Sequence, residues 1–351
     1  MLLIQRSFWS LLANYILDNN ILDNTEAASE LIEESIMVSL DGGEQLHVRR
    51  LHNGEGSCTP VLMLHGLLED GTVFYSRLKR GLAYCVANAG YDVYIPDLRG
   101  KGRSWPHVSE ILNYRIIDAV TQDIPAIIEA INQHCGMSPK FWVGHGWGGV
   151  LLSSFLARYP SHRSETVGLV YFGTRRVARA NNLKRRVFVD GLWGWLAGIV
   201  SQVRGTIPGA LLKIGTADEF RAMRSENLSW MQGGAWIDPS DKFDYGAALS
   251  EGLEYPPSLY LASKSDFGYG DPEDVAAFMR EVGSHNGRLI VLDKEGSSLH
   301  NYSHTSMLTH PDAVNDHFPH VLSWMDEMNR LKHEATHLTN TPTASSGVES
   351  P

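Results

Sequence analysis

The chain has 351 residues, 43% of them hydrophobic, and a formal net charge of −10 at pH 7. That length allows one large α/β domain or two ordinary ones with a sizeable core, and the acidic balance excludes a general nucleic-acid binder, which needs clustered Lys and Arg to neutralise phosphates. Cys58, Cys85 and Cys135 are too few and too far apart for a closed disulfide framework or a zinc-ligand spacing, so they read as reduced thiols.

In chain order, Leu3, Ile4, Phe8, Leu11, Leu12, Tyr15 and Ile16 recur at helical spacing and predict an amphipathic helix within residues 1–35. Lacking a basic stretch and a small-residue cleavage site, it is a poor signal peptide, and the expected location is cytoplasmic. Its expected role is docking on its own chain, with a dimer contact or a peripheral membrane contact as alternatives. No apolar run approaches the roughly 18 residues of a spanning helix.

Residues 36–172 then read as the first part of an α/β core. Met37 to Leu40, the turn Asp41-Gly42-Gly43 and Gln45 to Arg49 form a β-hairpin. Apolar strands follow at Val61 to Leu64, Tyr91 to Pro96, Lys140 to Val143 and Val167 to Phe172, with helices expected at about 74–88 and 149–159. Strands apolar on both faces, alternating with helices, imply a mostly parallel sheet covered on both sides. The rhythm breaks in residues 173–254, read as a cap insertion, and resumes in 255–332. There a strand from Ser258 to Ala262, a helix from Pro272 to Val282, a strand from Arg288 to Leu292 and a helix from about Asp312 to Leu331 are expected. Residues 333–351, rich in Thr, Ser and Pro, read as a disordered tail.

Four segments carry chemistry or its frame. His65-Gly66-Leu67-Leu68 follows one strand, and Asp97-Leu98-Arg99-Gly100-Lys101-Gly102-Arg103-Ser104 follows the next. Gly144-His145-Gly146-Trp147-Gly148-Gly149 is a strand-to-helix turn hemmed by glycines. Asp266 and then His304 follow the late strands. In this order they resemble the α/β-hydrolase family, over about residues 36–330, with the esterase and lipase branch favoured over epoxide hydrolases because no proline follows His65-Gly66. The resemblance implies an α/β-hydrolase fold with a helical cap, Asp266 as the triad acid, His304 as the base, and backbone N–H groups of Leu67 and Trp147 as an oxyanion hole. It also places His65 and His145 near a ligand.

The departure is at the nucleophile. Gly146 stands where the family carries Ser or Asp, so the frame of the site is present without its reactive oxygen. Ser153 and Ser154 lie about two turns down the following helix, some 10–12 Å away at 1.5 Å per residue, too far to substitute. Asp271 and Asp274 are alternative acids but read as caps of the helix from Pro272. His300 is an alternative base, and with His304, His310, His317 or His320 an alternative metal ligand, though no carboxylate or cysteine completes a recognisable spacing. No metal and no cofactor are expected.

The cap opens with Arg175, Arg176, Arg179, Lys184, Arg185 and Arg186, followed by an apolar run containing Trp193 and Trp195. A basic cluster beside aromatic residues suits an anionic head group and an acyl chain, and it equally suits a solvated helix face beside a packed segment. Trp230, Trp236 and Tyr245 are further candidates for the pocket wall. The expected partner is a small acyl or ester ligand, bound with little or no hydrolysis. The alternatives are a hydrolase or lyase using water activated by His304, and an interaction protein acting through the N-terminal helix and cap.

Overall fold

The computed structural model describes residues 31–54, 59–108, 110, 113–179, 206–207, 215–251, 254–266, 268–296 and 298–340. Eight strands form one sheet: β1 (Ile32–Ser39), β2 (Gln45–His52), β3 (Pro60–Leu64), β4 (Asp92–Asp97), β5 (Phe141–His145), β6 (Gly168–Phe172), β9 (Ser258–Ser263) and β10 (Gly287–Leu292). Among the described residues two more, β7 (Thr206–Ile207) and β8 (Glu219–Phe220), make a small separate ribbon. The sheet order is β1-β2-β4-β3-β5-β6-β9-β10. β1 and β2 are antiparallel to their neighbours and all later pairs are parallel.

Alternate residues of the central strands feed two cores. Leu62, Leu64, Trp142, Leu169 and Tyr171 enter one, while Val61, Met63, Phe141, Val143, Val170 and Phe172 enter the other. Period-2 side-chain direction in strands buried on both faces requires this division. Helices Trp147–Arg158 and Ile124–Cys135 contribute to the first core, and Leu82–Asn88 and Phe318–Asn340 to the second. β3, β5 and β6 all point their C-terminal ends to one edge, where the loops that carry chemistry gather.

Four boundaries differ from expectation, one being the last helix, which starts at Phe318 and not at about Asp312 because a 3-10 turn takes Pro311–Asn315. Residues 32–35 are strand, not helix: Glu33 and Glu34 pair across the hairpin with Arg49 and Arg50, so charges that suit a helix surface here cover an edge strand. The expected helix at 74–88 starts only at Leu82, because Lys79 and Gly81 take φ of +56° and +117°, which a helix does not admit. The last helix continues through residues 333–340, beyond the expected start of the tail, with Arg330 and Glu334 paired one turn apart. Residues 1–30 and 341–351, with the predicted N-terminal helix and the rest of the tail, lie outside the described residues, as does Cys58.

Candidate active site

β5 pairs with β3 and β6 as far as Gly144 and His145, and the chain then reverses at Gly146 into helix Trp147–Arg158. Gly146 has φ +49° and ψ −118°, a conformation that costs other residues about 1–3 kcal/mol. Its N–H donates to the Phe172 carbonyl at 2.8 Å. Gly148 presses against the Leu64 and His65 carbonyls with no room for a Cβ. The turn is therefore the strained elbow that the glycine pattern predicts, with a hydrogen atom at its apex.

Asp266 lies three residues beyond β9, buried, and its Oδ1 accepts from Tyr269 N–H at 3.1 Å. Its Oδ2 accepts from His304 Nδ1 at 2.6 Å. The segment before His304 is tied down because Ser263 Oγ donates to the Tyr302 carbonyl. A Cβ on Gly146 would fall 2.8 Å from His304 Nε2, and one on Gly173 would fall 2.8 Å from His304 Nδ1 and Cε1. Both distances are well inside normal carbon–nitrogen contact. The imidazole thus occupies the space a side chain at position 146 would enter.

Behind this ring sits a second, fully buried histidine. His145 Nδ1 donates to Glu69 Oε2 at 2.7 Å, and its Nε2 donates to the His304 carbonyl at 3.1 Å. Both partners are acceptors, so both contacts are satisfied only by imidazolium. Burial disfavours that charge, but the Glu69 carboxylate outweighs it and raises the proton affinity of His145. Burial likewise opposes the Glu69 charge, and His145 outweighs it, holding the carboxyl below its ordinary range. The His145 and His304 rings are 4.4 Å apart. His145 is a positioning residue, not the ligand contact expected from sequence. His65 is not one either: its Nδ1 bonds its neighbour's carbonyl and its Nε2 accepts from Leu98 N–H at 3.1 Å, fixing the loop between β3 and β4.

A cavity of about 780 Å³ opens over the elbow, lined by Leu67, Gly146, Trp147, Asp266, Tyr269 and His304 among others. Leu67 and Trp147, the expected oxyanion donors, thus border the same space as His304. The Leu67 loop is shaped by Leu68, whose φ is +57°. Leu68 N–H donates to Glu219 Oε2 at 3.3 Å, and its carbonyl accepts from Ala217 N–H at 2.9 Å. Glu219 also pairs with buried Lys101 at 3.0 Å, so one carboxylate on β8 joins the turn after β4 and the Leu67–Leu68 loop after β3.

Within that insertion, Arg175 and Arg176 do not await an anionic ligand. Arg175 lines the cavity but spends its guanidinium on Asp274 and on the carbonyls of Gly268 and Tyr269, and Arg176 pairs with Glu281. Arg179 is exposed, and its backbone N–H donates to Asp274. Asp271 caps helix Pro272–Glu281 as expected, whereas Asp274 is a buried anchor for these arginines. Trp230, Trp236 and Tyr245 pack on one another inside the first core and do not border the cavity. Ser153 and Ser154 are bonded within that core, to Gly149 and to Trp236. Lys184, Arg185, Arg186, Trp193 and Trp195 lie outside the described residues.

Sequence reasoning missed Glu69, Glu219 and Tyr269, whose ring lies 5.6 Å from that of His304. Only Glu69 had a signal, a carboxylate three residues after Gly66, whose N–H donates to it at 2.9 Å. Glu69, His145 and His304 bring donor atoms close enough for a metal, but the first two saturate each other. His317 instead donates to the Met307 carbonyl and leaves the metal reading.

A family model described as the α/β hydrolase fold matches residues 59–169. With the sheet order and the elbow already described, the fold is that of the α/β hydrolases. Part of its sequence is similar to lipases. Lipase member M of Mus musculus is 31% identical over 33% of this chain and 30% of its own. Gastric triacylglycerol lipase of Homo sapiens is 31% identical over 33% of this chain and 32% of its own. The chain thus spans about a third of the length of these curated relatives. The fold is also that of a soluble variant of monoglyceride lipase from Saccharomyces cerevisiae, 17% identical, with a TM-score of 0.57 over 87% of this chain and 99% of that one. Among the described residues no helix is long and apolar enough to cross a membrane.

Proposed function

We propose that this α/β-hydrolase binds a small acyl or ester ligand in the cavity over Gly146 and hydrolyses it little or not at all. One observation carries the reading: the residue at the elbow has no side chain, and His304 Nε2 lies 2.8 Å from where its Cβ would begin. Acyl transfer by this fold needs an oxygen there to attack the carbonyl and pass its proton to the histidine. The mostly apolar lining and the lipase relatives support an acyl ligand.

A second reading is favoured by the retained 2.6 Å contact between Asp266 and His304. In it, His304 activates a water, and the oxyanion donors sustain hydrolysis at the level of about 10³–10⁴ over water known for triads lacking a member. The two readings separate on one comparison. Esters of graded chain length are titrated against the unaltered protein by tryptophan fluorescence, and their turnover is compared with that of His304→Ala. The binding reading expects saturable, chain-length-dependent binding with equal turnover in both proteins. A rate that falls in His304→Ala overturns it in favour of the hydrolase.

A further inference from the structure

The segment that carries His304 holds a second cluster that the candidate site does not use. His300 Nε2 lies 2.6 Å from Asp312 Oδ2, and His310 Nδ1 lies 4.0 Å from that same oxygen. The two imidazole rings are 4.3 Å apart and inclined by 39°. One donor atom from each of the three residues falls within 4.8 Å of the others. All three side chains reach solvent, with exposures of 38%, 32% and 50%.

Their backbones are held in place. Tyr302 is buried beside the two rings and meets each edge-on, at 5.9 and 5.6 Å. Its hydroxyl donates to Asp316 Oδ2 at 2.6 Å, and the Leu299 N–H donates to the same oxygen at 2.8 Å. Asp312 itself lies in the short 3-10 turn Pro311–Asn315, which His310 caps: its Nδ1 accepts from the Asp312 N–H at 3.2 Å, and a metal bound through that nitrogen takes the place of this cap.

We propose that His300, His310 and Asp312 bind a divalent transition-metal ion of the zinc class. Two imidazoles and one carboxylate select zinc and its neighbours over calcium or magnesium, which prefer all-oxygen sites. Tetrahedral zinc with bonds of about 2.0–2.1 Å sets its donors about 3.3 Å apart, a spacing between the 2.6 and 4.0 Å seen here. The fourth position faces solvent and takes water. His300 and His310 flank His304 in sequence, so the bound ion ties together both ends of the segment that presents the candidate base. Because the unfolded chain does not hold the three donors together, binding stabilises the folded protein.

The test is a titration of the full chain with zinc against a chromogenic chelator, with thermal unfolding followed in parallel. One equivalent is expected to bind and to raise the melting temperature. His310→Ala and Asp312→Asn each weaken binding about tenfold or more, while His320→Ala, on the exposed face of the last helix, leaves it unchanged. Circular dichroism of each variant establishes that it is folded. The proposal is overturned if no binding is seen below millimolar zinc, or if the folded variants bind as tightly as the unaltered protein. It is also overturned if binding survives in His310→Ala and is lost in His304→Ala, which moves the ion to the Glu69, His145 and His304 group.

Discussion

The two faces of His304 differ in kind. On the buried face, Glu69, His145, Gly66 and the His304 carbonyl form a chain in which donors meet acceptors. On the cavity face, a side chain is missing at Gly146. Trp147 Nε1, beside the cavity, and both side-chain polar atoms of Asn227 are buried with no hydrogen-bond partner among the described residues. On the proposed reading, the support of His304 is intact where its reaction partner is absent. Loss of a nucleophile removes one oxygen and little packing, whereas loss of the buried support leaves an unpaired charge at a cost of about 3–5 kcal/mol.

The largest break in this contrast comes from the buried face. Glu69→Gln removes one partner of a desolvated pair and is expected to cost about 3–5 kcal/mol in denaturant unfolding. Its pH dependence identifies the pair. His145, raised in the fold, stabilises below its ordinary value of 6.5, and this is lost as pH rises through its folded value. Glu69, lowered in the fold, stabilises above its ordinary 4.5, and this is lost as pH falls through its folded value. The stability gap between the unaltered protein and Glu69→Gln is therefore widest between about pH 4.5 and 6.5. A gap that is flat with pH contradicts the ion pair.

A smaller effect is expected at Gly173, whose φ is +57° and whose added Cβ meets the His304 ring. Gly173→Ala should cost about 1–3 kcal/mol by backbone strain and displace the ring, seen as a shifted His304 imidazole resonance by NMR. The smallest effect is a gain. Asn227→Leu removes two buried unpaired polar atoms at nearly constant volume and should stabilise by about 1 kcal/mol. A loss of stability there means that a ligand or water satisfies Asn227 in solution.

What could be read from sequence follows the range of the interactions involved. β3, β5 and β6 are legible because each is an apolar run buried on both faces, and the elbow because four glycines within six residues answer to close backbone approach. Asp266 and His304 are legible only through family order, and the 2.6 Å contact between them joins residues 38 apart. The Glu69–His145 pair spans 76 residues and Lys101–Glu219 spans 118. Nothing local marks such partners, and the same holds for Arg175 and Arg176, whose basic run looks like a ligand site until Asp274 and Glu281 fold against it.

On the proposed reading, one side chain separates this site from a reactive one. Intact-mass spectrometry after exposure to a fluorophosphonate, which captures activated serines, tests it most directly on the unaltered protein, Gly146→Ser and the double variant Gly146→Ser with His304→Ala. No adduct is expected on the unaltered protein, one adduct at position 146 in the serine variant once His304 yields a few tenths of an ångström, and none in the double variant. An adduct on the unaltered protein, or a folded serine variant that stays unlabelled, contradicts that reading.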